Sequence, residues 1–233
     1  MASSAPRKLV ELFYDVVSPY SWLAFEVLNR YKNYWNINLC LKPVFLGGIM
    51  QKTGNKPPAL GSPEKAKYLF VDIQRMSKYF DVPLKLPSDP FTTMFGKGSL
   101  NAQRFITAID MMEPKFTGNI SQLLWMRIHG LDKDITEIKS FQEVGEQAGI
   151  PPNVLTKALS RISDVEIKNR LKEYTDEAIE KGAFGLPAIV AHVNNEEQMI
   201  FGCDRFPILA LILITTHGWL RTWCNVSPGS CAA

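Results

Sequence analysis

From Lys8 to Tyr14 the chain alternates between apolar and polar positions in a β-prone composition, and from Ser21 the apolar residues recur at helical spacing as far as Lys32. Strand-like patterning returns over residues 37–45, through Leu39, Leu41 and Val44, which predicts a β-strand, a helix and a second strand in succession. Gly47-Gly48, Gly54 and Pro57-Pro58 then break the pattern. Beyond them the text is helical in short segments, 63–80, 98–112, 120–129, 138–148 and 153–160, each followed by Gly, Pro, Asn or Asp. Residues 163–181 predict a longer helix stopped by Gly182, and 188–192 and 199–201 predict two short strands around the polar turn Asn194-Asn195-Glu196-Glu197. A last helix is expected over 205–216.

This order of elements is that of an α/β, thioredoxin-like domain interrupted by an all-helical insertion, as in DsbA-like proteins. The thioredoxin-like part is expected at 1–54 and 163–217, the insertion at 55–162, and a divergent tail at 218–233. With 233 residues and 46% apolar composition the chain has ample material for a core. There is no internal repeat and no low-complexity segment.

Charge narrows the function classes. The formal net charge of +3 comes from 26 basic and 23 acidic residues spread along the chain, without the basic stripe that nucleic-acid binding requires. Cys40, Cys203, Cys224 and Cys231 form no Cys-x-x-Cys pair and no metal-ligand spacing, even with His129, His192 and His217 added, so no metal is expected and a reducing compartment is the simpler assumption. The apolar run 206–213 is far shorter than the about 20 residues a membrane span takes, and it reads as a buried helix. Residues 1–8 lack the apolar core of a signal peptide, and Cys231-Ala232-Ala233 is not a peroxisomal tripeptide.

The chemistry concentrates where the first strand gives way to the first helix, at Ser18-Pro19-Tyr20-Ser21. A thioredoxin-type oxidoreductase carries Cys-x-x-Cys there; here both outer positions are serine, which leaves no redox pair. Pro19 fixes φ at a value that suits a first helical turn, and Ser18 is placed as an N-cap. A capping serine alone would explain the pair. Phe184-Gly185-Leu186-Pro187 falls before a predicted strand, where thioredoxin-like folds carry a cis-proline whose preceding residue offers its backbone to an extended peptide. Asp204 and Arg205 open the last helix; an Asp there is an ordinary cap, or a carboxylate for an α-ammonium. Gly54-Asn55-Lys56-Pro57-Pro58 is a linker or a polar lip of the same site.

The combination closely resembles the kappa-class glutathione S-transferases over residues 10–211. The resemblance is carried by Ser18-Pro19-Tyr20-Ser21-Trp22-Leu23, Gly54-Asn55-Lys56-Pro57-Pro58, Leu124-Trp125-Met126-Arg127 and Gly182-Ala183-Phe184-Gly185-Leu186-Pro187, among other stretches. It implies that Ser18 is the catalytic serine, its hydroxyl supporting the glutathione thiolate, and that Pro19 and Tyr20 complete the contact loop. Further glutathione contacts are implied at Asn55, Lys65, Leu186, Cys203 and Asp204, with Arg205 reaching glutathione across a homodimer. Glutathione is then a co-substrate, with no cofactor, and the other partner is a small electrophile attacked at carbon or at a peroxide oxygen. The implied role is detoxification, in mitochondria by default, with peroxisome and cytoplasm as alternatives. Two departures stand out: Cys203, where the family pattern has serine, and the ending from His217 onward. The competing readings are a glutathione-dependent 2-hydroxychromene-2-carboxylate isomerase and a non-catalytic peptide-binding or chaperone-like module.

Overall fold

A computed structural model of the chain describes residues 6–213. The final three residues predicted for the last helix, the tail from 217, and His217, Cys224 and Cys231 lie outside the described residues. Strands β1 (Lys8–Tyr14), β2 (Ile37–Pro43), β3 (Ala188–Val193) and β4 (Glu196–Phe201) form a mixed sheet in the order β2-β1-β3-β4. β1 and β2 are parallel, joined by helix α1 (Pro19–Tyr31), while β3 runs antiparallel to both β1 and β4. Phe13 pairs with Ala188, and Ala188 with Phe201. The chain therefore leaves β1, enters β3 and leaves β4 at one end of the sheet, the end that carries Ser18, Pro187 and Cys203.

Both faces of the sheet are covered, which is why β1 is buried from Val10 to Tyr14. Phe13, Ala188 and Val190 pack with Val44, Ile49, Tyr174 and Ala178, from the side of α2 (Leu46–Thr53) and α8 (Val165–Glu180). Val10, Leu12, Tyr14 and Ile189 face the other way, into a larger core with Leu28 of α1, Leu209 of α9 (Phe206–Leu213), and Phe105, Trp125 and Phe141 of the helical segment. That segment comprises α3 (Pro63–Phe80), α4 (Leu100–Met112), α5 (Thr117–Trp125), α6 (Ile138–Gln147) and α7 (Pro152–Arg161). The α/β, DsbA-like thioredoxin architecture expected from the order of elements is the one observed.

The clearest difference from the sequence reading is α2. Gly47-Gly48 looked like a breaker, and the second strand looked continuous to Phe45; instead β2 stops at Pro43 and Leu46–Thr53 is helical. Both glycines lie under the Phe45 ring: a Cβ on Gly47 would stand 2.7 Å from it and one on Gly48 3.3 Å. Gly54, at φ 71, ends the helix in the left-handed region. Smaller differences concern boundaries. α1 starts at Pro19, α4 at Leu100, and β4 reaches back to Glu196 because Asn194 and Asn195 both take positive φ and close a two-residue hairpin turn. A π-helical turn, Met126–Gly130, continues α5.

Candidate active site

Ser18 caps α1 in the manner its neighbours dictate. At φ −84 and ψ 115 it is extended, and its Oγ accepts a hydrogen bond from the Ser21 N–H at 3.2 Å. The hydroxyl's own proton has no acceptor among the described residues. Pro19 contributes no amide hydrogen, so the first N–H at the head of the helix that is left without an intrahelical partner is that of Tyr20. The Tyr20 hydroxyl is occupied elsewhere: it donates to Asp72 Oδ2 on α3 at 2.7 Å, and burial together with that carboxylate pushes its pKa up. What Tyr20 can offer a ligand is its backbone and ring.

The loop that carries Ser18 is held by side chains from far along the chain. The Asp15 carboxylate, wholly buried, accepts from the Val17 N–H (3.0 Å), the Leu46 N–H (2.9 Å) and the Ser99 hydroxyl (2.8 Å). Burial raises its pKa to about 6, against the pull of these three donors. Gln103 of α4 donates to the carbonyls of Tyr14 (3.0 Å) and Val44 (2.6 Å). From α5 and its π-helical turn, the Trp125 indole N–H donates to the Ser18 carbonyl at 3.2 Å, and His129 Nε2 lies 3.1 Å from the Val17 carbonyl. A carbonyl only accepts, so the neutral imidazole carries its proton on Nε2. Burial lowers the His129 pKa to about 4 and keeps it neutral.

Opposite this loop, the Leu186–Pro187 bond is cis, as the sequence predicts. Gly202 N–H donates to the Pro187 carbonyl at 3.0 Å, which ties the cis-proline to the turn that carries Cys203 and Asp204. Gly202 itself sits at φ 94, with Asp204 Oδ1 only 2.9 Å from where a Cβ would stand. Cys203 is buried and close enough to Tyr20 and Asp72 for their charges to act on one another; burial, then the Asp204 carboxylate, pushes its thiol up to about 12. Cys203 is thus a neutral thiol. Asn55, just past α2, reaches the same loop, its Nδ2 donating to the Phe184 carbonyl at 2.7 Å.

Two of the predicted site residues stand apart. Asp204 forms no cap hydrogen bond among the described residues; its carboxylate takes the Arg205 guanidinium, and both side chains are half exposed. Lys65 lies in the first turn of α3, its N–H capped by Ser62, two turns before Asp72 on the same helix face. Its side chain lies beside Gly61, with Nζ 3.5 Å from where a Cβ there would stand. Sequence reasoning missed Asp15, Asp72, Ser99, Gln103 and His129. Of these only Asp15 carried a local signal, a carboxylate at the end of a buried strand.

The fold family is that of the model described as the DSBA-like thioredoxin domain, which matches residues 9–213. The chain is 46% identical to glutathione S-transferase kappa 1 of Rattus norvegicus, over 90% of this chain and 92% of that protein. It is 45% identical to glutathione S-transferase kappa 1 of Homo sapiens, over 88% and 91%. The chain belongs to the DsbA-like thioredoxin family, as a kappa-class glutathione S-transferase. Among solved structures this kappa-class chain superposes on a 2-hydroxychromene-2-carboxylate isomerase with TM-score 0.72, covering 94% of this chain and 99% of that one. At 21% identity the superposition shows a shared fold alone.

Proposed function

We propose that this protein, as a kappa-class glutathione transferase, holds glutathione with its sulfur at the head of α1 and activates it as a thiolate for attack on a small electrophile. The observation that carries this reading is the uncommitted hydroxyl proton of Ser18, whose oxygen is already fixed by the Ser21 N–H. In the proposed complex Ser18 donates to the thiolate and the Tyr20 N–H adds a second donor, with the positive end of α1 behind both. Ser18 is a donor and not a nucleophile. The backbone of Leu186 pairs with the cysteinyl residue of glutathione, Asn55 fixes the loop that presents it, and Asp204 takes the α-ammonium of the γ-glutamyl group. Lys65 and Arg205 are assigned to carboxylate contacts, Arg205 across a homodimer. Mitochondrial residence and a detoxifying role belong to the same proposal and rest on the family resemblance.

The energetics are sufficient without metal or base. Lowering a thiol pKa from about 8.5 by about two units takes about 2.7 kcal/mol. A hydrogen bond to a charged group supplies roughly 1.5 to 3 kcal/mol, and a helix N-terminus roughly 0.3 to 1 kcal/mol. Ser18→Ala should therefore raise the bound thiol's pKa and lower turnover about 10- to 100-fold while glutathione binding changes little. Titrating the ultraviolet thiolate absorbance of the complex against pH, alongside haloarene conjugation, tests this; an unchanged thiolate pKa in the variant overturns it. Assaying 2-hydroxychromene-2-carboxylate isomerisation on the same preparation separates the transferase from its structural neighbour's activity.

A further inference from the structure

A concave feature lies behind the Ser18 loop, where α2, α4 and α8 converge on a solvent-open cleft. Its walls are apolar, with Phe45, Leu100 and Leu171. Its charges are one-sided: Lys52, Arg104, Lys168 and Lys172 line it, against Asp176 as the single acid.

That acid is already taken twice. Asp176 Oδ1 pairs with Lys52, and Oδ2 with Lys172 at 2.9 Å, and the two hydrogen bonds hold its carboxyl below the usual range. Lys168 has no ion pair or hydrogen bond to its ammonium among the described residues. Arg104 is held by a single long contact, Nη1 to Asn101 Oδ1 at 3.5 Å, and its Nε is buried with no partner. A guanidinium so weakly paired keeps its outer N–H donors for an acceptor that a ligand brings. Like charges gathered in a cleft with low-dielectric walls focus a positive potential there.

We propose that this cleft binds a small organic anion, one carboxylate or phosphate group carried on an apolar body. The head group takes the Arg104 guanidinium and the Lys168 ammonium; the apolar body lies against Phe45, Leu100 and Leu171. None of the residues assigned to glutathione lines the cleft. It is nonetheless one residue away from groups that hold the active loop, because Phe45 and Leu100 adjoin Leu46 and Ser99, two of the three donors to the Asp15 carboxylate.

The experiment is calorimetric titration of the full chain with octanoate and with octyl phosphate, with and without saturating glutathione. Both anions are expected to bind one per chain and to compete with each other while glutathione leaves them in place; the tighter of the two identifies the preferred head group. Lys168→Glu, on an exposed position of α8, should weaken both about fivefold, and Asp176→Asn should strengthen both. Octanol or inorganic phosphate binding as tightly as octanoate would overturn the proposal, since one lacks the charge and the other the apolar body. So would displacement by glutathione or an unaltered affinity in Lys168→Glu. Haloarene conjugation by the same variant stays at the parent's level, so a failed cleft and a failed transferase reading are distinguishable.

Discussion

The two lips of the site are built to different standards. On the β1 side, Asp15 to Ser18 is gripped through buried groups: three donors on the Asp15 carboxylate, Gln103 across the carbonyls of Tyr14 and Val44, and Trp125 and His129 on the carbonyls of Ser18 and Val17. On the β4 side, Cys203 is buried, but Asp204 and Arg205 face solvent and hold mainly each other. The lesson is one of division of labour. The lip proposed to carry the chemistry is preorganised by networks whose members cannot be lost singly, whereas the lip proposed to read the charged end of the tripeptide keeps groups that water can also satisfy.

That contrast can be broken most forcefully at Gln103. Gln103→Leu leaves the Val44 carbonyl and the Val16 N–H buried without the amide that pairs with them and strips one of two donors from the Tyr14 carbonyl, and the expected loss is about 3 kcal/mol in urea unfolding. A loss under about 1 kcal/mol would mean that the first lip is no tighter than the second. Acid titration gives an effect of similar size, with two opposing signs. His129, with its folded pKa lowered to about 4, contributes stability that is complete above its ordinary 6.5 and lost as pH falls through 4. Asp15, raised to about 6, contributes stability that is complete below its ordinary 3.8 and lost as pH rises through 6. Between pH 6.5 and 4 the two offset one another. Asp15→Asn removes the gain, so its stability should fall more steeply over that interval than the parent's, by about 2 to 3 kcal/mol. Parallel curves for the two proteins would refute the assignment. The smallest effect belongs to the second lip: Asp204→Asn should cost less than about 0.5 kcal/mol of stability while raising the KM for glutathione.

How much of this could be read beforehand follows from range. The strand, turn and helix around Ser18, the cis-proline at 187 and the element order are local or sequential patterns, and they appear in the structure as expected. Helix α2 was illegible because a Gly-Gly pair carries no helical signal of its own, and the Phe45 ring that packs over it reads locally as the end of a strand. Gln103, Trp125 and His129 reach the active loop across 87 to 112 residues of chain, and no spacing rule ties them to it. Asp72 was equally hidden, since an acid on an exposed amphipathic helix is ordinary until Tyr20 is seen to bond to it. The position of Asp204 just before a helix was legible, but not its pairing with Arg205.

The Ser18 cap has a consequence for any survey of tolerated substitutions at this position. Serine, threonine, asparagine and aspartate all make good helix caps, because each offers an oxygen to the amide three residues on. A library sorted for folded protein alone would therefore keep aspartate at 18 as readily as serine. Sorted for conjugation, the same library would discard it, because a carboxylate has no hydrogen to give a thiolate and adds a repelling charge. The gap between the two sorted populations at position 18 measures how much of this residue belongs to architecture and how much to chemistry.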